Sequence, residues 1–165
     1  MRNRMPGGDD SLGVSPSPAS PPESLARSLA EQAHAGQTDR AGNPYVDHVA
    51  RVAAAVRAAG GSDAQIEAAY LHDVIEDTGW TSAELHAAGI AEDAIALVAL
   101  LTRTDDVPYA TYLQRIRANP DALQIKRCDL ADNMNPVRTA LLDDATRERL
   151  GAKYAAALVV LEPTA

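Results

Sequence analysis

The apolar positions of this chain recur at helical spacing over most of its length. Leu25, Leu29 and Ala33 stand four residues apart, which predicts a first helix that ends at the loop from Gly36 to Pro44. Further stripes predict helices from about Tyr45 to Ala59, Asp63 to Asp77, Ala91 to Arg103, Pro108 to Ala118, Asp121 to Met134 and Thr146 to Leu161. Because no convincing period-2 strand and no glycine-rich phosphate loop is present, the predicted fold class is all-α, a helical bundle with no significant sheet.

Local stop and start signals support these boundaries. Gly60 and Gly61 predict the end of the second helix, and Ser62 is a typical N-cap for the third. Thr81 and Glu84 have the spacing of a capping box, which predicts a short additional helix.

The N-terminal segment differs from the rest. Residues 1–22 contain five prolines together with glycine, serine and aspartate, and almost no apolar side chain. Such a segment cannot offset its ordering entropy by burial, so we expect a disordered tail. Residues 23–165 are then expected to form one domain, which is long enough to enclose a core.

Composition limits the classes of partner. The chain of 165 residues carries a formal net charge of −8, and its pI is near 4.9, which argues against nonspecific binding to nucleic acid or to an anionic membrane. Cys128 is the single cysteine, so no intrachain disulfide is expected. No apolar stretch reaches the length of a membrane span, and no signal peptide is evident. We expect a cytoplasmic protein.

The third predicted helix carries an unusual cluster. At 100° per residue, His72, Asp73, Glu76 and Asp77 fall within about 140° of one another, while Leu71 and its apolar neighbours face the other way. One face can therefore pack while the other binds a metal or moves a proton. The alternative is an ordinary amphipathic helix with a solvated acidic face.

Three other segments, residues 34–42, 44–48 and 126–134, contain matching chemistry, and together with this cluster they resemble a known family. The order His48, His72, Asp73, Asp129 is similar to the H…HD…D signature of HD-domain metal-dependent phosphohydrolases. The longer motifs H-x-G-Q-x-x-x-x-G-x-P-Y-x-x-H, L-H-D-V-x-E-D-T and K-x-x-D-x-x-x-N-M, over roughly residues 25 to 150, resemble the hydrolase domain of alarmone (ppGpp) synthetase/hydrolases and their small single-domain relatives.

The resemblance implies roles for particular residues. It implies that the metal ligands are His48, His72, Asp73 and Asp129. It further implies that Glu76 and Asp77 are the catalytic acidic pair and that Asn133 lies near the metal or the nucleotide. Two imidazoles with two carboxylates suit Mn²⁺ or a similar first-row ion, so Mn²⁺ is the expected cofactor. Glu76 is expected to orient or deprotonate the attacking water, with Asp77 as a second acid or proton relay.

Substrate contacts are less sharply defined by the sequence. Arg40, Arg51 and Lys126 are candidate phosphate partners, with plain surface solvation as the alternative. Tyr45 either stacks or hydrogen-bonds at the pocket or belongs to the core. His34 either lines the site or packs between the first helix and its loop.

The recognition loop departs from the family pattern. Alarmone hydrolases usually carry an Arg-Lys pair where this chain has Asp39 and Arg40, and a histidine where it has Asp132. A negative charge in place of a positive one is expected to alter the specificity region without touching the metal.

The expected function is therefore hydrolysis of a phosphate or diphosphate ester of a nucleotide by metal-activated water. The preferred substrate is ppGpp-like, cleaved at the 3′-diphosphate. One alternative is a phosphomonoesterase acting on another nucleotide or a small biosynthetic phosphate ester. Others are a non-catalytic nucleotide-binding HD module and a di-iron oxygenase, for which His34 is the only obvious spare ligand. No synthetase-like segment precedes Ala165, so hydrolysis alone is expected, and the oligomeric state is not indicated.

Overall fold

The computed structural model describes residues 22–162, and these form a bundle of helices. In chain order they are α1 Pro22–Ala33, α2 Tyr45–Ala58, α3 Asp63–Leu71, α4 Val74–Asp77, α5 Ser82–Ala87, α6 Glu92–Leu101, α7 Tyr109–Arg117, α8 Pro120–Asn133, α9 Pro136–Thr139 and α10 Asp144–Leu161. Within residues 22–162 the only β-type pairing is an isolated bridge between Thr38 and Pro44. The all-α prediction is confirmed. The predicted tail over residues 1–21 lies outside the described residues, and Pro22 already opens α1.

The predicted helix from Asp63 to Asp77 is wrong in one respect, because the structure breaks it at His72 and Asp73. Helix α3 ends at Leu71 and α4 starts at Val74, with Asp73 at φ −105° and ψ −1° between them. The His72 ring hydrogen-bonds the Ala69 carbonyl, whose oxygen lies 2.8 Å from Nδ1. The helical hydrogen bonds resume one turn later, where the Asp77 amide donates to the Asp73 carbonyl at 2.8 Å.

Helix α9 was missing from the sequence-based prediction. It is a single turn that follows α8 directly, and the Asn135 side chain caps it by accepting a hydrogen bond from the Val137 amide. One turn is too short for periodicity to reveal, although Asn135-Pro136 is a typical helix start.

The central helix of the bundle is α3. It packs against α1, α2 and α6, and α8 packs against α2 and α7. Most side chains of α3 are buried, including Ala68, Ala69 and Leu71, none of which exposes any surface. The small alanines let neighbouring helices approach closely, so the end of α3 lies deep in the bundle, where His72 follows.

The predicted caps are present. Ser62 and Gln65 form a reciprocal capping box at the start of α3, and Thr81 and Glu84 form another at α5. Gly60 adopts φ +78°, a conformation that disfavours other residues and ends α2. These caps fix where α2 stops and where α3 begins.

Candidate metal centre and substrate pocket

Three side chains from two parts of the bundle meet at the α3–α4 break. The ligand atoms of His48, His72 and Asp73 all lie within 4.8 Å of one another. His48 lies on α2, and the other two form the break itself. The break matters because it turns the Asp73 carboxylate toward the Nε2 atom of His72, which lies 3.0 Å away.

Asp129 approaches the same group from α8. Its Oδ1 atom lies 3.3 Å from the Nε2 of His48 and 3.8 Å from the Nε2 of His72, and its side chain is only 6% exposed. Lys126 holds the other oxygen of this carboxylate at 2.7 Å, and the Asn133 amide donates to Oδ1 at 2.6 Å. The four residues that the resemblance singled out thus share one buried region.

Both imidazoles are oriented by their other nitrogen. The Nδ1 atom of His72 faces the Ala69 carbonyl, and the Nδ1 of His48 lies 2.7 Å from the Asp132 carboxylate. Since both partners can only accept, each Nδ1 carries a proton, which leaves the Nε2 atoms facing the carboxylates of Asp73 and Asp129. The Nε2 of His72 is buried and has no hydrogen-bond partner. Two imidazole nitrogens that converge with two carboxylates in this way fit a divalent metal.

The pKa values reflect the same crowding of charge. Burial lowers the pKa of His72, but the carboxylates of Asp73 and Asp129 outweigh it and raise the value to about 9. Burial raises the pKa of Asp73, but the neighbouring charge of His72 outweighs this effect and brings the pKa down to about 2. Lys126 and the two imidazoles hold the pKa of Asp129 far below its usual range. The site strongly favours a positive charge at its centre.

Tyr45 belongs to the site and is half-buried. Its hydroxyl donates to the Asp73 carboxylate at 2.5 Å. Its ring also contacts the rings of His34 and His48, with centroids 4.9 Å and 5.4 Å away. Burial and the Asp73 charge raise the pKa of the Tyr45 hydroxyl, which keeps it a donor.

Glu76 and Asp77 lie on α4 at the solvent edge of this region. Burial of part of each carboxylate and the negative charge of Asp73 raise both pKa values. Glu76 accepts a hydrogen bond of 2.8 Å from the Arg103 amide. The acidic pair is therefore anchored and stays available to solvent.

His34 and Gln37 support Asp77 from the loop. The His34 ring is buried, and its Nδ1 lies 2.6 Å from the Gln37 side-chain oxygen. The Gln37 side chain in turn hydrogen-bonds Asp77 and lowers its pKa against the effect of burial. His34 therefore packs under the loop, and its ring contacts Tyr45.

A cavity of about 270 Å³ opens beside the metal centre. Three of the four predicted substrate residues line it, namely Arg40, Tyr45 and Asn133. Its other walls are Thr38, Asp39, Ala41, Arg138, Thr139, Leu142, Leu150 and Tyr154. Lys126 does not line this cavity, because its ammonium is held in the buried ion pair with Asp129. Arg51, another candidate, is paired with Asp132.

Asp39 does not present its charge to the cavity as the sequence suggested. One carboxylate oxygen accepts from the amides of Ala41 and Asn43, each at 2.9 Å, and the other lies 2.9 Å from the Arg138 guanidinium. The Asp39 side chain is only 6% exposed. Its negative charge is neutralised within the fold.

Sequence reasoning missed three basic residues near the site. Arg138 lies on α9, outside every recognised motif, and its surroundings depend entirely on tertiary contacts. Arg103 and Lys153 both lie against the ring of Tyr109, at 5.5 Å and 5.4 Å from its centroid. Scattered single cations carry no sequence signal that separates them from surface residues.

The family is defined by comparison with known proteins. The sequence model described as HD domain matches residues 26–151, so the chain belongs to the HD-domain family. The resemblance drawn from the motifs is confirmed. Within residues 22–162, no helix has the length and apolar composition needed to cross a bilayer.

Individual relatives carry more specific names. The chain is 32% identical over 118 residues to a guanosine-3′,5′-bis(diphosphate) 3′-pyrophosphohydrolase of Haemophilus influenzae, covering 67% of this chain and 17% of that protein. It is 29% identical over 114 residues to a probable enzyme of the same name from Synechocystis sp., covering 64% and 15%. A probable GTP pyrophosphokinase of Mycobacterium leprae is 31% identical over 119 residues, with 67% and 15% covered. The chain therefore spans 17% of the length of these relatives at most.

A solved structure shares the fold. It is described as "A metazoan ortholog of SpoT hydrolyzes ppGpp and plays a role in starvation responses" and superposes with a TM-score of 0.73. The match covers 92% of this chain and 89% of that chain at 21% identity. This likeness establishes the helical architecture.

Proposed function

We propose that this protein is a metal-dependent phosphohydrolase that cleaves a phosphate or diphosphate ester of a nucleotide, with a ppGpp-like 3′-diphosphate as the preferred substrate. The observation that carries the proposal is the convergence of two bare imidazole nitrogens with the carboxylates of Asp73 and Asp129. The names of the relatives, which include 3′-pyrophosphohydrolases, support the choice of substrate. A small-molecule substrate and a cytoplasmic location belong to the same proposal.

The metal would be held by His48, His72, Asp73 and Asp129. This mixed nitrogen and oxygen set favours a first-row divalent ion, and we propose Mn²⁺. Such an ion, when bound, lowers the pKa of a water and neutralises charge on a phosphoryl oxygen. Tyr45 and Asn133 each donate to a ligand carboxylate, which orients both acids.

Glu76 and Asp77 would handle protons. Their raised pKa values bring both carboxylates closer to neutral pH, where a group can accept a proton and then return it. We assign Glu76 to orienting and deprotonating the attacking water. Asp77, held by Gln37, would relay the proton taken from that water to the leaving group.

The nucleotide would occupy the cavity beside the metal centre. Arg40 lines this cavity, where its guanidinium would bind a phosphate group. Tyr45 and Asn133 lie between the cavity and the ligand carboxylates. Lys126 would contribute its charge from behind Asp129.

The direct test is turnover by the Mn²⁺-loaded protein. Incubation with ppGpp and a nucleotide panel, with pyrophosphate and orthophosphate measured separately, should show pyrophosphate release from ppGpp. The variant Asp73→Ala should release none, and Mn²⁺ binding should fail in parallel. Orthophosphate from another substrate would replace the pyrophosphohydrolase by a phosphomonoesterase with the same metal centre. Mn²⁺ binding with no turnover of any panel member would favour a nucleotide-binding module.

A further inference from the structure

Two departures from the family motifs meet at one side chain. Asp39 stands where alarmone hydrolases usually have arginine, and Asp132 stands where they have histidine. The Arg138 guanidinium contacts both carboxylates, with the Asp39 oxygen 2.9 Å from one terminal nitrogen. The other terminal nitrogen binds the Asp132 side chain and, at 3.1 Å, the Asp132 backbone carbonyl. The two departures from the family motifs, Asp39 and Asp132, therefore belong to one ion-pair network centred on Arg138.

Asp39, Asp132, Arg138 and Arg51 form one ion-pair network, which is largely buried and has equal numbers of positive and negative charges. The side chains of Asp39, Asp132 and Arg138 are 6%, 9% and 17% exposed. Arg51 binds the other Asp132 oxygen at 2.7 Å, so two carboxylates face two guanidinium groups. Charge-assisted hydrogen bonds in such a setting are stronger than exposed ones and hold their partners in fixed positions.

This group reaches both the loop and the metal centre. Asp39 fixes the turn of the loop through the amides of Ala41 and Asn43. Asp132 lies 2.7 Å from the Nδ1 of His48 and so fixes the ring and the tautomer of that imidazole. Arg138 is the side chain that joins these two functions, since it contacts both acids.

We propose that Arg138 is a positioning residue that locks the 36–44 loop to helix α8 and, through Asp132, orients His48 toward the metal. This inference rests on the proposed function, because it takes His48 as a ligand. It also explains why the loss of a basic loop residue leaves the site intact: the acidic residue is paired inside the fold. Arg40 then remains the basic residue that the loop offers to a substrate phosphate.

The test compares Arg138→Met with a matched control. Arg57 also joins two helices through an ion pair, with Glu23 of α1, but it lies away from the site, so Arg57→Met is the control. Mn²⁺ affinity is measured by titration calorimetry, and amide hydrogen exchange is followed over residues 36–44. Partners that orient a ligand typically contribute roughly 10- to 100-fold in metal affinity. We expect Arg138→Met to weaken Mn²⁺ binding by about 10-fold or more and to speed exchange in the loop, with Arg57→Met unchanged in both.

Two further variants test the contact with the loop and the contact with the metal centre separately. Asp39→Asn should speed loop exchange while Mn²⁺ affinity stays within about 3-fold, because it leaves Asp132 and His48 in contact. Arg138→Lys keeps the charge but lacks the planar fork that reaches two carboxylates, so it should fold and still weaken Mn²⁺ binding or loosen the loop.

The outcomes distinguish this inference from the proposed function. Wild-type Mn²⁺ affinity and loop exchange in both Arg138 variants would overturn the positioning role. If the Arg138 variants are unchanged and His48→Ala loses Mn²⁺ binding, the proposed metal site is still supported. If His48→Ala binds Mn²⁺ normally, the ligand assignment is wrong, and the inference fails with it.

Discussion

Each histidine of the site uses its two ring nitrogens for different purposes. In both His48 and His72 an acceptor holds Nδ1, namely the Asp132 carboxylate and the Ala69 carbonyl. The Nε2 atoms are thereby left facing the carboxylates of Asp73 and Asp129. The neighbours of the ligands set the chemistry of this site as much as the ligands do.

A substitution at Glu76 distinguishes a proton acceptor from a metal ligand. Glu76→Gln should keep Mn²⁺ affinity within about 3-fold and lower kcat by roughly 10²- to 10⁴-fold, the usual contribution of a positioned proton acceptor. Steady-state kinetics with calorimetric Mn²⁺ titration measures both. The exposed Glu148→Gln on α10 is the control and should change neither. Loss of Mn²⁺ binding by Glu76→Gln would make Glu76 a ligand instead of a base.

The raised pKa values predict the acidic limb of the pH profile. Because a carboxylate must be ionised to accept a proton, the rate should fall as pH is lowered through a pKa above the ordinary glutamate value of 4.5. Asp77 contributes to that elevation through its negative charge. Asp77→Asn should therefore move the limb of kcat/KM to lower pH, and an unchanged limb would show that Glu76 is not the titrating group.

Among the secondary-structure elements, the break between α3 and α4 determines where the Asp73 carboxylate lies. A continuous helix would direct Asp73 about 100° away from His72 around the axis. The break instead places its carboxylate 3.0 Å from the His72 Nε2. Glu76 and Asp77 follow on a separate turn, so they reach the solvent edge of the same region.

Helix α3 must start at a fixed residue for this arrangement to hold. Removing its cap with Ser62→Ala should lower the free energy of unfolding by about 1 kcal/mol, since a helix-terminal amide loses its partner. Urea denaturation measures the change. Ser28→Ala on the exposed face of α1 should stay within about 0.5 kcal/mol. Equal effects of the two substitutions would contradict a specific role for the cap.

Across the whole molecule, basic residues collect around the site of an acidic chain. The net charge is −8, yet Arg40, Arg103 and Lys126 lie close enough to Lys153 to lower its pKa together with burial. A local positive region of this kind favours a small anionic ligand.

Metal binding should also stabilise the entire domain. The proposed ligands lie on α2, at the α3–α4 break and on α8, so a bound ion would join distant parts of the chain. At 100 times its Kd, Mn²⁺ should add about 2.7 kcal/mol, since only the folded state brings the ligands together. This corresponds to a rise in Tm of roughly 5–10 °C by calorimetry for a domain of this size. Asp73→Ala should show no rise, and a rise equal to that of the wild type would exclude Asp73 as a ligand.

Local patterns in the sequence predicted most of the helices and their caps, because periodicity and capping boxes act over a few residues. The family and the residues of the candidate metal centre came from the resemblance that the longer motifs carry. His48, His72, Asp73 and Asp129 could thus be selected without coordinates. Arg40, Tyr45 and Asn133, which the sequence offers as substrate contacts, line one cavity in the structure.

How these residues are used depends on the tertiary structure. It broke the helix at Asp73, enclosed Lys126 in an ion pair and turned Asp39 inward to Arg138. Each of these outcomes depends on a partner that packing brings from elsewhere in the fold or on a competition between side chain and backbone for hydrogen bonds. Such partners are set by the balance of burial and charge over the whole bundle, and no local pattern encodes them.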